Sequence, residues 1–519
     1  MTAPETKPEP RLPAAWYPLG ALLSGLLYWL SFAGMDVWPL AFVAFVPLWL
    51  VLRGQTPRRA VVLGVITGAT MNVAGFSWLL EMLRSFSGFP TPLCLFFMLI
   101  VCAYQGGRLG LMGWLYARAE RRGWPAPVVF LTAFAASELL YPLLFPWYFA
   151  ASVHQVPALT QIAELGGPIL VGVVLVGANL AIGEPILARI ERRPIDRRVV
   201  LGGAAGVLAT LLFSAWRIRA VDAMAQAAPA VHVGLVQGNM GLMQKRDDPG
   251  EGLRRHQRLT ADLQKKGIDF VVWSESSVTF PMRETRFKQQ MPDLVGRKIG
   301  LPAIFGAVLY RTGTDTDRER WFNTALSSDA QGQITGRYDK EYLLAFGEYL
   351  PLGDTLPILY EWSPNSGKFS AGTDLDPLVI TQNGVTHNVA LLICYEDILP
   401  SFTNKVVQAE HPDLLVNMTN DAWFGDTSEP WEHLALAQLR AIEHRRYLVR
   451  STNSGVSAFV DPVGRVMLHT STFKAESADA IVHWMNGSTV YEKLGDWPWY
   501  LTALFALAAA FVKRKPVSP

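Results

Sequence analysis

The heptapeptide Leu-Leu-Ile-Cys-Tyr-Glu-Asp at residues 391–397 decides how the second half of this chain is interpreted. The apolar run from Val389 to Ile393 predicts a short buried strand, and polar residues follow Cys394 at once. Rigid backbone holds a thiol at such a strand end, where it can still meet a substrate. Cys394 is therefore a candidate nucleophile, and the alternative is a small hydrophobic core residue, a common role of a free cysteine.

Three further stretches supply the groups that a nucleophilic thiol needs. An apolar strand runs into Glu275, residues 337–340 end in Lys340, and residues 420–425 read Asn-Asp-Ala-Trp-Phe-Gly. A cysteine nucleophile requires a base that takes its proton and a cation or amide donor that stabilises the oxyanion. Glu275 and Lys340, each beside a predicted strand end, fit these two roles.

The chain order of this glutamate, lysine and cysteine resembles the Glu-Lys-Cys triad of the nitrilase superfamily. The resemblance covers roughly residues 230 to 485 and implies an αββα sandwich that cleaves or forms bonds at acyl carbons. Short β-branched runs alternate in this region with helical patterns, for example from Gly252 to Lys266 and from Trp431 to Arg445. Such alternation favours a layered α/β domain.

The composition indicates a membrane protein. Of 519 residues, 50% are hydrophobic and only 17% are charged, and the mean hydropathy is +0.20, which is too apolar for an ordinary soluble enzyme. The net charge of +2 gives no sign of nucleic-acid binding. Cys94 and Cys102 lie in apolar runs, so the cysteines indicate neither a disulfide framework nor a zinc site. We expect no metal and no cofactor.

Long apolar runs predict a helical membrane bundle of about eight transmembrane helices, seven before the α/β domain and one after it. Most are long enough to cross ~30 Å of hydrocarbon at ~20 residues each. The runs lie at 16–33, 37–52, 60–81, 91–116, 126–146, 168–189, 199–216 and 497–512. The expected organisation is a disordered N-terminus at 1–12, a seven-helix membrane domain at 13–220, a nitrilase-like domain at 225–488, a last transmembrane helix at 494–513 and a tail at 514–519.

Arginine-rich loops predict the orientation in the membrane. Cytoplasmic loops carry an excess of Lys and Arg, and the loops between are poor in cations. Both termini are then cytoplasmic, and the α/β domain lies on the far side. The loops contain Arg53, Arg58 and Arg59, then Arg118, Arg121 and Arg122, and then Arg189, Arg192, Arg193, Arg197 and Arg198.

A nitrilase-like domain set between transmembrane helices resembles the apolipoprotein N-acyltransferase family, over nearly the whole chain. The motifs that carry the resemblance lie at 36–39, 137–139, 145–147, 236–239, 273–276, 322–324, 337–340, 346–348, 394–396, 420–425, 430–433 and 450–455. The resemblance implies a ping-pong reaction at the periplasmic side of a bacterial inner membrane. A phospholipid gives an acyl chain to Cys394, and the N-terminal amine of a diacylated apolipoprotein then takes it.

The same resemblance implies roles for single residues. Glu275 is the general base, and Lys340, with a backbone N–H near Cys394, stabilises the oxyanion. Supporting positions around the nucleophile are Asn323, Glu348, Tyr395, Glu396 and Trp423. Glu348 is alternatively a solvated loop carboxylate, and Glu396 alternatively caps the turn after the strand. We expect the chain to act as a monomer.

Several alternatives stay open at the level of sequence. A membrane-anchored nitrilase-type amidohydrolase would use the same triad on a small substrate, and a transporter with an accessory domain would show paired charges or broken helices in matching halves. Glu138 is either a functional membrane carboxylate or a group paired with another helix. The apolar loop at 356–362, within 354–372, is either part of the core or an arm that enters the lipid.

Overall fold

The structure is a computed structural model that describes residues 12–241, 248–313, 319–345, 347–350, 352–362 and 367–514. The expected disordered N-terminus at 1–12 and the tail at 514–519 lie almost wholly outside the described residues. Within them, the chain forms two compact units. The first comprises the described parts of Met1–Ser77, Leu95–Ala215 and Asp496–Pro519, and the second comprises those of Trp78–Cys94 and Trp216–Gly495.

Helices make up most of the first unit and part of the second. In chain order they are α1 Trp16–Leu30, α2 Val46–Leu52, α3 Pro57–Gly75, α4 Leu79–Ser87, α5 Thr91–Glu120, α6 Ala126–Leu140, α7 Pro157–Thr160, α8 Ala163–Ile190, α9 Arg197–Ala227, α10 Pro249–Gln264, α11 Phe287–Met291, α12 Arg297–Ile299, α13 Ile358–Trp362, α14 Pro400–Glu410, α15 Glu429–His444, α16 Val490–Leu494 and α17 Trp497–Phe511. Short 3₁₀ helices lie at Trp38–Phe42, Phe149–Val153, Cys394–Ile398 and Asp421–Phe424, and a π-helical turn at Pro292–Gly296.

The prediction of eight membrane crossings is supported only in part by the lengths of these helices. Among the described residues, α5, α8 and α9 are long and apolar enough to cross a membrane, and a fourth span results if α3 and Leu79–Ser85, bent by 62°, are taken together. The other predicted spans form shorter helices. At ~1.5 Å per residue a 15-residue helix such as α1 covers only ~22 Å. Pro39 and Pro47 sit at the beginnings of Trp38–Phe42 and α2, so the run at 37–52 divides into two pieces.

Glycine residues allow helices α3 and α5 of the first unit to approach closely. A Cβ atom on Gly64 would lie 2.1 Å from the carbonyl oxygen of Leu109, and one on Gly68 would lie 2.5 Å from that of Gly106. Small residues at an interval of four are typical of helix pairs in membranes, where close backbone packing replaces the hydrophobic effect.

Glu138 is paired with another helix, as one of the two interpretations of the sequence expected. Its Oε1 lies 3.4 Å from Nη1 of Arg108, which is on α5, and accepts a hydrogen bond from the Phe149 amide at 3.0 Å. The same Nη1 of Arg108 donates to the Trp147 carbonyl at 2.6 Å. Both charged side chains are almost wholly buried. The pair therefore joins three segments inside the first unit.

The second unit contains two β-sheets. Their strands are β1 Ala230–Gln237, β2 Phe270–Trp273, β3 Val278–Arg283, β4 Ala303–Arg311, β5 Arg320–Ser328, β6 Ile334–Asp339, β7 Leu378–Gln382, β8 Val385–Ile393, β9 Leu414–Thr419, β10 Leu448–Thr452, β11 Ala458–Val460, β12 Val466–His469 and β13 Glu476–His483. The described residues give one sheet the order β13-β1-β2-β4-β5-β6, with β3 beside β4, and the other the order β12-β11-β10-β9-β8-β7.

Alternation along the strands builds the layers that the sequence predicted. In β8, Val389, Leu391 and Ile393 belong to the core shared by the two sheets, whereas Ala390 and Leu392 pack in a separate cluster with residues of α14 and α15. Because side chains of a strand alternate between faces, one short strand serves both layers. The predicted nitrilase-like α/β sandwich is therefore present, and the helices expected near 252–266 and 431–445 correspond to α10 and α15.

Candidate active site

The three residues predicted to be catalytic each lie just beyond a strand. Glu275 follows β2 by two residues, and Lys340 and Cys394 follow β6 and β8 directly. All three side chains are largely buried, since Lys340 is 1% exposed and Glu275 and Cys394 are each 7% exposed. A buried glutamate and a buried lysine need partners, and these partners define the site.

Asn323 on β5 connects the two carboxylates of the site. Its side-chain amide Nδ2 donates to Oε1 of Glu275 at 2.6 Å and to Oε1 of Glu348 at 2.8 Å. The backbone of the same residue also holds the lysine, because the Lys340 amide donates to the Asn323 carbonyl at 2.9 Å. One asparagine therefore fixes Glu275, Glu348 and Lys340 relative to one another.

Glu348 is an ion-pair partner of the lysine. Its Oε2 lies 2.7 Å from Nζ of Lys340 and accepts a hydrogen bond from the Leu344 amide at 2.8 Å. The alternative of a solvated loop carboxylate is therefore wrong. Burial lowers the pKa of Lys340, but the negative charges of Glu348 and Glu275 and the interaction with Cys394 outweigh burial and raise this pKa. Lys340 is a cation in the resting site.

Cys394 begins the 3₁₀ helix Cys394–Ile398 with a left-handed backbone, at a φ of +51°. This conformation costs an L-residue roughly 1–2 kcal/mol, so surrounding contacts must hold it. Burial raises the pKa of the Cys394 thiol, and the Lys340 charge opposes that increase. Burial therefore favours the neutral thiol of Cys394, which would need a base to act as a nucleophile.

Glu396 accepts hydrogen bonds that hold the turn beginning at Cys394 in place. Its Oε2 accepts from the Ile393 amide at 2.7 Å. Its Oε1 accepts from the hydroxyl of Tyr338 and from the amides of Glu341 and Tyr342, all within 2.9 Å. The capping role that the sequence left open is therefore real, and it also ties the Cys394 turn to the segment after Lys340. Burial raises the pKa of Glu396 to about 7, although Lys340 opposes it.

The two remaining supporting residues are Tyr395 and Trp423. Tyr395 is partly buried and packs against the core between the sheets, and burial raises the pKa of its hydroxyl. Trp423 lies on the 3₁₀ helix Asp421–Phe424 and is also partly buried. Their supporting roles stay predictions. Of the apolar loop at 354–372, residues 363–366 lie outside the part of the chain that the structure describes.

Sequence reasoning missed the role of Gly306 on β4. A Cβ atom at this position would lie 2.4 Å from the Ser276 amide nitrogen and 3.0 Å from the Glu275 carbonyl carbon. Only glycine allows the segment carrying Glu275 to lie this close to β4. A lone glycine inside an apolar strand is the one signal of such close approach that the sequence carries.

A further buried group contains the metal-binding residue types. One ligand atom from each of Asp421, Glu429 and His433 lies within 4.8 Å of the others. The structure places His433 among the carboxylates of Asp397, Asp421 and Glu429.

The fold and the residues at the strand ends define the class, an α/β sandwich of the carbon-nitrogen hydrolase type with a cysteine at its centre. The family model of carbon-nitrogen hydrolases matches residues 232–483. The model of the N-terminal domain of apolipoprotein N-acyltransferases matches residues 24–181. An amidase from Nesterenkonia sp. is similar at 17% identity over 52% of this chain and 95% of its own, with a TM-score of 0.35.

Curated relatives extend the similarity to nearly the whole chain. The apolipoprotein N-acyltransferase of Azotobacter vinelandii is 30% identical over 95% of this chain and 95% of its own length. The one of Pseudomonas putida is 30% identical over 95% and 96%, and the one of Geobacter metallireducens is 29% identical over 96% and 95%. This chain belongs to the apolipoprotein N-acyltransferase family.

Replacing Asn323 with Asp tests how the site is held together. The substitution keeps the shape but places a third carboxylate against Glu275 and Glu348, where an amide now donates to both. Repulsion should displace Glu275, and a shift of about 1 Å costs roughly 100-fold in rate. We expect Asn323→Asp to lower turnover in an N-acyltransferase assay by about this factor.

The matched control is Asn383→Asp, at an exposed turn residue with a φ of +51°, a conformation that Asp also tolerates. It should keep full turnover and the same thermal unfolding temperature. Near-normal turnover of Asn323→Asp would show that the amide does not position the base.

Proposed function

We propose that this protein transfers a fatty acyl chain from a phospholipid to the N-terminal amine of the diacylglyceryl-cysteine of apolipoproteins, through a thioester on Cys394. The observation that carries the proposal is full-length membership of the family together with a cysteine held at a strand end beside a buried ammonium and a carboxylate. Glu275, Lys340 and Cys394 are its catalytic residues.

In the first half-reaction, Sγ of Cys394 attacks the ester carbonyl carbon of the phospholipid while a carboxylate oxygen of Glu275 takes the thiol proton. The carbonyl oxygen becomes an oxyanion, and the Lys340 ammonium stabilises it with a backbone N–H near Cys394. When the intermediate collapses, the carbon–oxygen bond breaks. The lysophospholipid leaves with the proton held by Glu275, and an acyl thioester stays on the enzyme.

In the second half-reaction, the free amine of the diacylated apolipoprotein attacks the thioester carbon. Glu275 takes a proton from the amine, the carbon–sulfur bond breaks, and the proton goes to the leaving thiolate. The products are an amide on the lipoprotein and the neutral thiol that burial favours. Lys340 stabilises both oxyanions and stays protonated throughout.

The arrangement in the cell is part of the proposal. We propose a multi-pass protein of the bacterial inner membrane with eight crossings, in which the shorter apolar helices supplement α5, α8 and α9. The catalytic domain at 225–488 faces the periplasm and both termini face the cytoplasm. The protein acts as a monomer, without a cofactor. Exposed apolar side chains such as Leu201 and Leu212 on α9 support contact with lipid.

The order of the two half-reactions predicts a covalent intermediate. Phospholipid alone should give a stable acyl adduct on Cys394, detected by intact mass and released by neutral hydroxylamine. A diacylated lipopeptide with a free amine should discharge the adduct, and its N-acetylated counterpart should not. Rapid loss of the adduct to free fatty acid without an acceptor would instead favour the amidohydrolase alternative.

The proposed roles of the base and the cation predict two separate defects. Glu275→Gln keeps the shape but removes the basicity, and Lys340→Ala removes the charge next to the oxyanion. Losing a well-placed oxyanion donor costs roughly 3–4 kcal/mol, or about 10²–10³-fold in rate. Both variants should fold and form the adduct at least 100-fold more slowly. A near-normal rate in either variant would show that its role is wrongly assigned.

The orientation predicts the behaviour of reporter fusions. A reporter that is active only in the periplasm should be active when fused after residue 490 and inactive when fused after Lys515. The opposite pattern would contradict the proposed topology, because the catalytic domain would then face the cytoplasm.

A further inference from the structure

A buried cluster of charged side chains lies directly behind the nucleophile turn. Arg450 on β10 donates from Nη1 to Asp397 at 2.7 Å and from Nη2 to Asp421 at 3.3 Å. His433 on α15 lies between the same two carboxylates, with Nε2 2.8 Å from Asp397 and Nδ1 3.3 Å from Asp421. Asp397, Asp421 and Arg450 are fully buried. Asp397 is three residues from Cys394, so the cluster contacts the 3₁₀ helix that begins at Cys394.

A second contact of Arg450 reaches Cys394 through Asn417. Nη1 of Arg450 donates to Oδ1 of Asn417 at 2.7 Å. Nδ2 of Asn417 donates to the carbonyl of Leu392 at 3.1 Å and to that of Cys394 at 3.3 Å. Leu392, Asn417 and Arg450 are register partners on β8, β9 and β10. Hydrogen bonds therefore lead from Arg450 on β10 through Asn417 on β9 to the backbone carbonyl of Cys394.

The charges of the cluster balance without an ion. Nε2 of His433 is hydrogen-bonded to Asp397, and Nδ1 lies 3.3 Å from Asp421 without the geometry of a hydrogen bond. A carboxylate on each side of the ring favours an imidazolium. Burial and the Arg450 charge lower the pKa of His433, but Asp397 and Asp421 outweigh them and raise it to about 10. Burial, and then Asp421, raise the pKa of Glu429, which favours its neutral form. Two cations, Arg450 and His433, therefore face the two carboxylates of Asp397 and Asp421.

A divalent cation among Asp421, Glu429 and His433 is the competing interpretation. It would require a neutral imidazole and an ionised Glu429, and it would have to share Asp421 with Arg450, which already binds that carboxylate. The observed contacts fit the imidazolium better, so the cation becomes an outcome of the test.

We propose that Arg450 is a positioning residue for the nucleophile, which holds the left-handed backbone of Cys394 by two routes, through Asn417 to the Cys394 carbonyl and through Asp397 to the turn. The strained conformation at φ +51° persists only where neighbours hold it. Without Arg450 the turn relaxes, Sγ moves away from Glu275 and Lys340, and attack slows. Arg450 itself touches neither substrate nor thiol.

Arg446, just before β10, gives a matched comparison for Arg450. Arg446 is as buried as Arg450, but it binds the Pro412 and His444 carbonyls and Glu492, away from the nucleophile turn. The readout is the second-order rate of alkylation of Cys394 by iodoacetamide on the full-length protein in detergent, located by peptide mass, alongside thermal unfolding. This readout does not depend on the proposed acyl transfer.

We expect Arg450→Gln to change the Cys394 alkylation rate at least 10-fold and to slow acyl-adduct formation by a similar factor. Arg446→Gln should lower the unfolding temperature and leave both rates unchanged. Equal effects of the two variants on the rates would overturn the proposal. The adduct arm rests on the proposed function, and wild-type protein that forms no adduct would contradict that function alone.

A double-mutant cycle of Asn417→Ala and Arg450→Gln tests the route through Asn417. If Arg450→Gln does not fold, Asn417→Ala alone tests this route. Asn417→Ala removes the link to the Cys394 carbonyl and should change the alkylation rate in the same direction. Because both residues act along one chain of hydrogen bonds, the double variant should show less than the product of the two single effects. Independent, multiplicative effects would overturn the route.

Dialysis against a chelator, followed by zinc or magnesium, tests the competing cation. Rates that stay unchanged in both steps support the charge-balanced cluster. A loss on chelation that either metal restores would overturn the proposal in favour of a structural metal.

Discussion

The arrangement of the candidate site in the second unit depends on the buried ammonium group of Lys340. The free energy cost of moving a lone charge out of water is far larger than the gain from one ordinary contact. The buried Lys340 therefore needs carboxylates close to it. Glu348 contacts it directly, and the charges of Glu275 and Glu396 also act on it. These groups come from separate loops. Asn323 and Lys340 connect the loops of Glu275 and Glu348, and Glu396 is hydrogen-bonded to the segment after Lys340. The loops that carry these carboxylates thus converge on Lys340.

The Cys394 thiol lies in a site whose backbone is held by several buried contacts. Cys394 rests as a neutral thiol in a backbone conformation that its neighbours enforce. Glu396 fastens this turn to the segment after Lys340, and Gly306 lets the segment of Glu275 lie against β4. Contacts of this kind preorganise the carboxylates and the ammonium around Cys394, so that a reaction at the thiol would need little rearrangement.

Much of the sandwich could be predicted from the sequence, because short β-branched runs alternate with helical patterns between residues 230 and 485. The run 389–393 predicted β8, and the order of Glu275, Lys340 and Cys394 predicted which strand ends meet. Contacts between distant residues could not be predicted. Arg450 reaches Asp397 and Asn417 only because the register of three strands aligns them, and Arg108 meets Glu138 only after two helices pack. Helix lengths were also predicted poorly, since hydropathy does not show that the run at 37–52 divides at Pro39 and Pro47.

The alternation in β8 restricts how this chain can change in length. Leu391 faces the core between the sheets and Leu392 faces the outer helices, so each residue of the strand has a fixed side. Removing one residue from β8 would turn every later side chain over, sending the thiol toward the outer layer and breaking the hydrogen bonds that lead to Arg450. Loops on this unit can gain or lose residues at modest entropic cost. The strand before the nucleophile cannot, so insertions and deletions in viable variants should fall in the connections and spare the nine residues of β8.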